Sequence, residues 1–286
     1  MSRTAVSEKT LRDLYGLKYN PFEADLPAEA LWEPPQAEPF FSRMQMLARL
    51  GGFGLLVGAP GTGKSKLLQL LAQRLNQQAD VIVGVMERPQ SRLMDLYREL
   101  GQLFAVELSP SNRYGGFQAL RTRWRSHIKS TLVRPVLLID EAQETPTDCL
   151  NELRILGSAE FDSQCILTTV LCGDNRLSER LKGIDLLPLH SRIRAHLTLE
   201  VLDREALLAY LSQALNQAGA PHLMTSGLLA ALAEQSEGNL RRLNQVAAQL
   251  LWTAVDRKLP KLDENLYLDL CSPGGTHVRP RTRRTP

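Results

Sequence analysis

The sequence predicts an α/β fold in which a parallel sheet carries a phosphate-binding site, followed by a smaller helical domain. Three observations predict this class. The segment from Gly58 to Ser65 has the spacing G-x-x-x-x-G-K-S and lies between an apolar run and a helical pattern. Short apolar runs then alternate with amphipathic stretches to about residue 200, as in parallel sheets. From Asp203 to about residue 258 the pattern is helical throughout.

Composition and charge fit a globular protein outside the membrane. The chain has 286 residues, 43% hydrophobic and 23% charged, with a net charge of +3. Its four cysteines form no C-x-x-C pair, and its N-terminus lacks the apolar stretch of a signal peptide. No run approaches the ~20 apolar residues of a membrane span. We therefore expect reduced cysteines, a cytoplasmic location and no membrane partner.

The glycine-rich segment is predicted to be a P-loop. The apolar run Phe53–Val57 before it is typical of a buried strand, and the segment after it has helical spacing. Backbone N–H groups of such a loop, with the positive end of the helix dipole, cradle phosphate. Lys64 is expected to reach the β- and γ-phosphates, and the Ser65 hydroxyl to bind Mg²⁺. The predicted nucleotide-binding residues here are Gly58, Ala59, Pro60, Gly61, Thr62, Gly63, Lys64, Ser65 and Lys66.

The segment before the P-loop is predicted to be an N-terminal extension, residues 1–42. Leucines from residue 11 onward suggest a short helix, which Asn20-Pro21 ends. The extension either lies against the nucleotide base or serves as a packing arm, and the sequence favours neither. After the P-loop helix we expect a buried strand over 80–86, a helix over 91–104 and a loop over 109–116.

A basic helix is predicted from about residue 117 to 132. Its apolar residues at helical spacing predict one buried stripe, while Arg121, Arg125 and Lys129 recur every four residues on a neighbouring face. Like charges at this spacing weaken a helix, and no acidic residue lies between 108 and 139 to offset them. The row is either a contact for DNA phosphates or a solvated basic face.

The third predicted strand, from residue 134, ends in Asp140 and Glu141, which is the Walker B pattern. Asp140 is expected to hold Mg²⁺, and Glu141 to orient or deprotonate the attacking water. A helix is expected over 148–157, and a fourth strand over 165–174 ends in the polar residue Asp174, where a sensor of the γ-phosphate would lie.

Two further pairs of arginines are candidate phosphate ligands. Arg192 and Arg194 precede a fifth strand over 195–199 and suit an arginine finger inserted into a neighbouring subunit, or an exposed basic turn. Arg241 and Arg242 begin a helix predicted over 239–258, where a cation is unfavourable next to the helix dipole. A bound phosphate or a surface ion pair would explain their position. Two helices are predicted before the one over 239–258. The first spans 204–217 and is capped by Asp203, and the second begins after a cap at Thr225 or Ser226.

In motif content and order the chain resembles AAA+ ATPases. The matching motifs are GAPGTGKS, LLIDEAQ, LCGD, HSRIRAHL and GNLRRLN, within about residues 11–258. The YGL…NPF opening and Asp140-Glu141-Ala142-Gln143 resemble the ExeA-like group, which includes secretion ATPases and ATPase subunits of DNA transposition systems of the TnsC and MuB type.

Residues 271–286 are rich in arginine and contain no acidic residue, so their composition predicts a disordered basic tail. The resemblance implies an ATPase core over 43–200 and a helical lid over 201–270. It implies ATP and Mg²⁺ as cofactors, Arg192 as the finger and Arg241 as the second sensor, although Arg194 and Arg242 stay open as alternatives. Asp174 lies where the family usually has Gln, Asn or Thr at the first sensor. This departure counts against a sensing role for Asp174, because an acid there would repel the γ-phosphate, and the neighbouring Asn175 could substitute.

The function implied by the transposition branch is ATP-dependent assembly on duplex DNA, independent of its sequence, as a head-to-tail ring or filament. The assembly would recruit or activate a transposase or target selector, and hydrolysis would dismantle it. Two alternatives are a secretion or assembly ATPase that acts on a protein client, and a nucleotide switch that serves as an interaction module.

Overall fold

The computed structural model describes residues 3–89, 92–108, 112–161 and 163–271. The chain forms two compact units, each with its own hydrophobic core. The sheet unit comprises Glu33–Val201, and the helical unit combines the residues up to Trp32 with those from Leu202 onward. The predicted N-terminal extension, 1–42, is thus divided between the two units. Almost all of the predicted basic tail lies outside the described residues.

The secondary structure follows the expected alternation of strands and helices. The strands are β1 Gly52–Gly58, β2 Val81–Met86, β3 Arg134–Ile139, β4 Ser158–Ala159, β5 Gln164–Cys165, β6 Thr168–Gly173 and β7 Ile193–Leu199. The helices are α1 Arg3–Tyr15, α2 Ala37–Leu50, α3 Lys64–Asn76, α4 Leu93–Leu103, α5 Arg113–Ser130, α6 Thr147–Gly157, α7 Asn175–Leu181, α8 Leu187–His190, α9 Arg204–Ala218, α10 Ser226–Gln235, α11 Leu240–Arg257 and α12 Glu264–Cys271.

Five strands form a parallel sheet in the order β2-β3-β6-β1-β7. The short strands β4 and β5 pair separately as an antiparallel hairpin. All seven residues of β1 are buried, as are the six of β6, because helices cover both faces of the sheet. The carboxyl ends of β1, β3 and β6 therefore meet at one edge, where α/β proteins place their ligands.

Alternate residues of the strands supply the two cores of the sheet unit. Leu55 of β1 and Ile139 of β3 belong to the core shared with α4, α5 and α6. Leu56 and Leu138 point to the opposite face and pack with α2 and α3. Since successive residues of a strand point to opposite faces, this explains why the strands read as continuous apolar runs.

Several elements differ from their predicted bounds or burial. Helix α5 begins at Arg113 instead of about residue 117, because the Asn112 side chain caps it by accepting a hydrogen bond from the Gly115 N–H at 2.8 Å. The strand expected over 165–174 is broken at 166–167, and its first residue pairs with β4. Strand β2 lies at the sheet edge, so that Ile82 and Val85 are each 37% exposed.

The helical unit has a core of its own, built from α9 to α12 with the N-terminal segment. The predicted caps are confirmed: Asp203 accepts from the Ala206 N–H at 2.8 Å, and Thr225 accepts from the Leu228 N–H at 3.1 Å. The Tyr15 hydroxyl donates to the Leu259 carbonyl at 2.9 Å. The N-terminal residues Leu11, Leu17 and Phe22 are buried in this core. The segment therefore packs as an arm within the helical unit.

Candidate active site

The loop between β1 and α3 has the backbone of a phosphate cradle. Gly61 and Gly63 have φ angles of 86° and 95°, which other residues rarely adopt. At Gly58 a Cβ atom would lie 2.4 Å from the Leu199 carbonyl oxygen, so no side chain fits there. These glycines explain the local sequence, since the chain must turn sharply out of a buried strand and into a helix.

Lys64 opens helix α3, and its amine lies over this loop. Its Nζ donates to the Ala59 carbonyl at 3.0 Å, and the residue is 8% exposed. The Thr62 hydroxyl donates to the same carbonyl at 2.9 Å. Ser65, in the first turn of the helix, is exposed. The loop thus combines backbone N–H groups, one ammonium group and one accessible hydroxyl, the donor set that a nucleotide phosphate requires.

Asp140 and Glu141 follow β3 at the same edge of the sheet. The Asp140 N–H donates to the Met86 carbonyl at 3.0 Å, which extends the β2–β3 pairing by one residue. The Asp140 carboxylate accepts from the Glu141 N–H at 2.9 Å. Glu141 itself has a left-handed backbone, with φ of 51°, and is exposed. The chain therefore turns sharply at Glu141 and presents its carboxylate outside the sheet.

Cys172 of β6 lies beside Asp140. Burial, reinforced by the Asp140 carboxylate that accepts from the thiol, raises the pKa of Cys172 well above its usual value. The positive charge of Lys64 acts on this pKa in the opposite direction, and Glu141 acts in the same direction as Asp140. The structure thus brings Lys64, Asp140 and Glu141 into one electrostatic neighbourhood at the carboxyl edge.

Gln143 is a site residue to which the residue patterns assigned no role. It is 6% exposed, and its Nε2 donates to the Glu141 carboxylate. Its Oε1 accepts from the Asp174 N–H at 3.1 Å. One buried amide therefore joins the catalytic candidate after β3 to the end of β6. In the sequence, Gln143 stands out only as the last residue of the Asp140-Glu141-Ala142-Gln143 segment that resembles the ExeA-like group. That resemblance assigns it no chemical role.

Asp174 is engaged as a helix cap. Its carboxylate accepts from the Arg176 N–H at 2.9 Å and from the Arg176 guanidinium at 2.8 Å. Burial opposes its ionisation, but these hydrogen bonds outweigh burial and lower the pKa of the Asp174 carboxyl. The sensing role of Asp174 stays a prediction, and so does that of Asn175, which is exposed in the first turn of α7.

Arg192 and Arg194 lie at the opposite, amino-terminal edge of the sheet. Strand β7 begins two residues earlier than predicted, so that Arg192 directly precedes it and Arg194 is its second residue. Its first residue, Ile193, pairs with Phe53 at the beginning of β1. Together with Arg134 they act electrostatically on Cys165, which lies at the same edge. A strand of seven residues spans roughly 20 Å at about 3.3 Å per residue. The sheet therefore separates both arginines from the phosphate loop of their own chain.

The predicted DNA contacts are not equivalent. The Arg121 guanidinium donates to the carbonyls of Ile155 and Leu156 at 3.1 Å each, and to that of Ser158. Burial, together with Arg125, lowers the pKa of this guanidinium. These hydrogen bonds cap the end of α6, and the contact of Arg121 with a DNA phosphate stays a prediction.

Arg125 and Lys129 are exposed on the following turns of the same helix, and their contact with DNA stays a prediction. The predicted buried stripe of this helix is confirmed. Leu120 and Trp124 are buried, and Phe117 and Ile128 pack against the same core.

In the helical unit, Arg242 pairs with Glu237, with 3.0 Å between NH1 and Oε2. This is the surface ion pair that the sequence left open for this pair of arginines. Arg241 precedes it and is exposed, and its role as a second sensor stays a prediction.

The residues fit ATP with Mg²⁺. The glycine cradle and Lys64 suit the phosphates, and Asp140 and Ser65 supply oxygen atoms of the kind that Mg²⁺ prefers. Among the described residues, no group of three or more His, Cys, Asp or Glu side chains could hold a metal ion. Mg²⁺ is usually bound by one or two carboxylates together with the phosphates of the substrate.

The chain is similar in sequence to a known protein family and to one curated protein. Residues 48–181 match a family described as AAA domain. The chain is 30% identical over 216 residues to General secretion pathway protein A of Aeromonas hydrophila. The matched region covers 74% of this chain and 39% of that protein. The chain thus spans about two fifths of the length of this curated relative.

Three solved structures share the fold at low identity. They are Cdc6p of Pyrobaculum aerophilum (TM-score 0.69, 14% identity, 85% of this chain and 67% of that one), the Aeropyrum pernix ORC2 protein in ADPNP-ADP complexes (0.64, 15%, 88% and 70%), and Drosophila ORC bound to DNA (0.66, 16%, 95% and 67%). The predicted fold class is confirmed: this is the α/β P-loop fold of AAA+ proteins, with a five-stranded parallel sheet.

In the part of the chain that the structure describes, no helix combines the length and apolar character needed to cross a bilayer.

Proposed function

We propose that this chain, whose sheet unit has the AAA+ fold, hydrolyses ATP and assembles head to tail on duplex DNA. The observation that carries the proposal is the meeting of Lys64, Asp140 and Glu141 at the carboxyl edge of one sheet. The P-loop supplies donors for the phosphates, and the strand next to β6 supplies the two carboxylates. Phosphoryl transfer needs mainly positioning and charge neutralisation, which this set can provide.

Each residue then has a defined role. The loop N–H groups and Lys64 bind and orient the phosphates, and Ser65 with Asp140 holds the cation. Glu141 orients the attacking water and accepts its proton, for which its exposed position at the sheet edge is suitable. The bound Mg²⁺–ATP supplies the γ-phosphoryl group and the neutralising charge.

Arg192 and Arg194 support assembly of several copies. Because the sheet separates them from the P-loop of their own chain, a finger at this position would have to act on a neighbouring subunit. A contact between the amino edge of one copy and the carboxyl edge of the next is heterologous, so it generates a ring or a filament. We propose Arg192 as the finger, with Arg194 as its alternative.

Duplex DNA is the partner that we propose for this assembly. Arg125 and Lys129 present two exposed cations on successive turns of α5. Contacts of this kind bind phosphates independently of sequence and depend strongly on salt. One solved structure with the same fold is of an ORC bound to DNA. In its most specific form the proposal is a cytoplasmic regulator that marks target DNA for a transposase, and hydrolysis dismantles the assembly.

A second candidate is an ATPase that acts on a protein client. The similarity to General secretion pathway protein A, at 30% identity over 216 residues, favours it. Two measurements with and without duplex DNA separate the candidates: the rate of ATP hydrolysis and the mobility of DNA in a gel shift at low salt. DNA-stimulated hydrolysis, with ATP-dependent DNA binding that persists in Glu141→Gln, supports the DNA proposal. If DNA changes neither quantity, that proposal fails and the protein client stands.

Head-to-tail assembly has its own test, which mixes two inactive variants. Lys64→Ala removes the phosphate ligand, and Arg192→Ala removes the finger. In a random mixture, about one quarter of head-to-tail contacts join an intact P-loop to an intact finger. We expect about that fraction of the wild-type rate from an equimolar mixture. A mixture as inactive as its components contradicts a finger supplied by the neighbour.

A further inference from the structure

We propose that Gln143 is a positioning residue that holds the carboxylate of Glu141 for catalysis. This inference rests on the proposed ATPase function. Gln143 lies in the short 3-10 turn Ala142–Glu144 that follows Glu141, and it is 6% exposed. A buried side-chain amide has to satisfy both its donor and its acceptor, since an unmade hydrogen bond in the interior is costly.

The hydrogen bonds of Gln143 fix which end of its amide faces Glu141. The Asp174 backbone N–H lies 3.1 Å from the Oε1 of Gln143, and a backbone N–H can only donate. The carbonyl end must therefore face Asp174, so the NH₂ end faces the Glu141 carboxylate and donates to it. The orientation of the amide thus follows from its partners.

The turn that carries Gln143 is also held in place. The Arg180 guanidinium donates to the backbone carbonyl of Gln143 and, at 2.8 Å, to that of Thr145. At Gly173 a Cβ atom would lie 2.5 Å from the Gln143 Oε1, so the end of β6 approaches the amide closely. Gln143 is therefore fixed by its backbone, by the end of β6 and by its own hydrogen bonds.

Glu141 needs such support. It is exposed and has a left-handed backbone, so packing alone does not restrict its side chain. A water-orienting carboxylate has to be held within a fraction of an ångström of its working position. A donor fixed to the protein can provide this restraint, and Gln143 is placed to do so. The amide also links Glu141 to the end of β6, where a sensor of the γ-phosphate is predicted.

Two substitutions of Gln143 separate positioning from packing. Gln143→Met keeps the volume and removes both hydrogen bonds. Gln143→Glu keeps an acceptor for the Asp174 N–H and replaces the donor to Glu141 with a carboxylate. We expect kcat to fall about 10- to 100-fold in both variants. The dissociation constant for a fluorescent ATP analogue should stay within about twofold of wild type, because Gln143 is not a phosphate ligand.

The matched control is Glu144→Gln, on the same turn. The Glu144 carboxylate pairs with Arg176 at 2.8 Å, on the exposed surface. We expect its kcat to stay close to that of the wild type. A role of Gln143 limited to bracing β6 would spare Gln143→Glu, whose acceptor is intact. An unchanged or raised kcat in Gln143→Glu would therefore overturn the inference, as would losses of kcat and nucleotide affinity in equal proportion.

The test keeps the inference distinct from the proposed function. ATP hydrolysis by the wild-type protein is measured first, together with Glu141→Gln. If the wild type does not hydrolyse ATP, or if its hydrolysis is unchanged in Glu141→Gln, the ATPase proposal is overturned, and the Gln143 inference with it. If the wild type hydrolyses ATP and Glu141→Gln does not, an unaffected Gln143→Glu overturns the positioning role alone.

Discussion

Replacing Arg121 with Met should destabilise the sheet unit instead of acting primarily on DNA binding. The substitution keeps most of the aliphatic stem and removes the guanidinium. That group donates to three carbonyls at the end of α6, those of Ile155, Leu156 and Ser158. It also lies 5.0 Å from the centre of the Phe117 ring. The variant therefore loses the cap of α6 and a contact within α5 at the same time.

The magnitude follows from these contacts. A hydrogen bond to a charged group contributes about 1.5–3 kcal/mol, and a cation over a partly exposed ring about 0.5–1 kcal/mol. The carbonyls at a helix end can regain water, so these contributions are not additive. We expect a loss of about 2 kcal/mol in the free energy of unfolding. For a domain of this size that corresponds to a fall in Tm of about 4–8 °C.

The assay is urea denaturation followed by circular dichroism, with Arg125→Met as the matched control. Arg125 lies one helical turn further along α5 and is exposed, so its replacement should change the free energy of unfolding by less than about 0.5 kcal/mol. If Arg121→Met is as stable as Arg125→Met, the capping role of Arg121 is wrong.

The same variants keep stability apart from DNA binding. If Arg125 and Lys129 contact phosphates, their joint replacement by Met should reduce the slope of log K against log salt by about 1.8. We expect the double variant to keep the Tm of the wild type. A slope identical to that of the wild type would remove both residues from the proposed interface.

Three further predictions concern particular side chains. Gly58→Ala should abolish nucleotide binding, measured by a fluorescent ATP analogue, because its Cβ would lie 2.4 Å from a backbone oxygen; full binding would contradict the close approach. Burial of the Glu152 carboxyl raises its pKa, but Arg113 and Tyr97 outweigh burial and lower the pKa below 4.5, so its stabilising contribution is present above about pH 4.5 and lost below it. Acid titration of Tm should therefore be flatter for Glu152→Gln, and an equally steep titration would contradict a stabilising ion pair between Arg113 and Glu152. Phe161→Gly should raise the free energy of unfolding by about 1 kcal/mol, measured by urea denaturation. The reason is that φ at this exposed residue is 54°, an angle that glycine adopts without strain. A loss of stability would contradict this and would assign a packing role to the ring.

The elements that the sequence predicted best have both a regular spacing of apolar residues and a capping residue at each end. Helix α9 was expected over 204–217 and occupies Arg204–Ala218, with Asp203 as its cap and Gly219 in a left-handed conformation after it. Both ends are fixed by residues within the helix and next to it, so local chemistry determines its bounds. The P-loop was predictable for the same reason, because its glycines, lysine and flanking apolar runs are contiguous.

Features that depend on distant parts of the chain were not predictable in this way. The spacing of Arg121, Arg125 and Lys129 places them on one face of a helix, but it does not reveal that the end of α6 covers the first of them. The 34-residue separation between Arg121 and Ile155 exceeds what helical periodicity can address. Gln143 has the same difficulty, since one of its partners, the Asp174 N–H, lies on another strand end.

The parallel sheet itself constrains how copies of this chain could assemble. Its carboxyl edge carries Asp140 and Glu141, and its amino edge carries Arg192 and Arg194. A two-fold contact through the carboxyl edges would bring like charges together, which costs free energy in an interface. A head-to-tail contact sets the arginines against the carboxylates and the phosphates they help to bind. Such a contact would also leave one free edge on every terminal copy, so that assembly would continue until a ring closes or a filament grows along its partner. The charge distribution along the strands therefore favours the mode of assembly in which an arginine of one subunit reaches the nucleotide of the next.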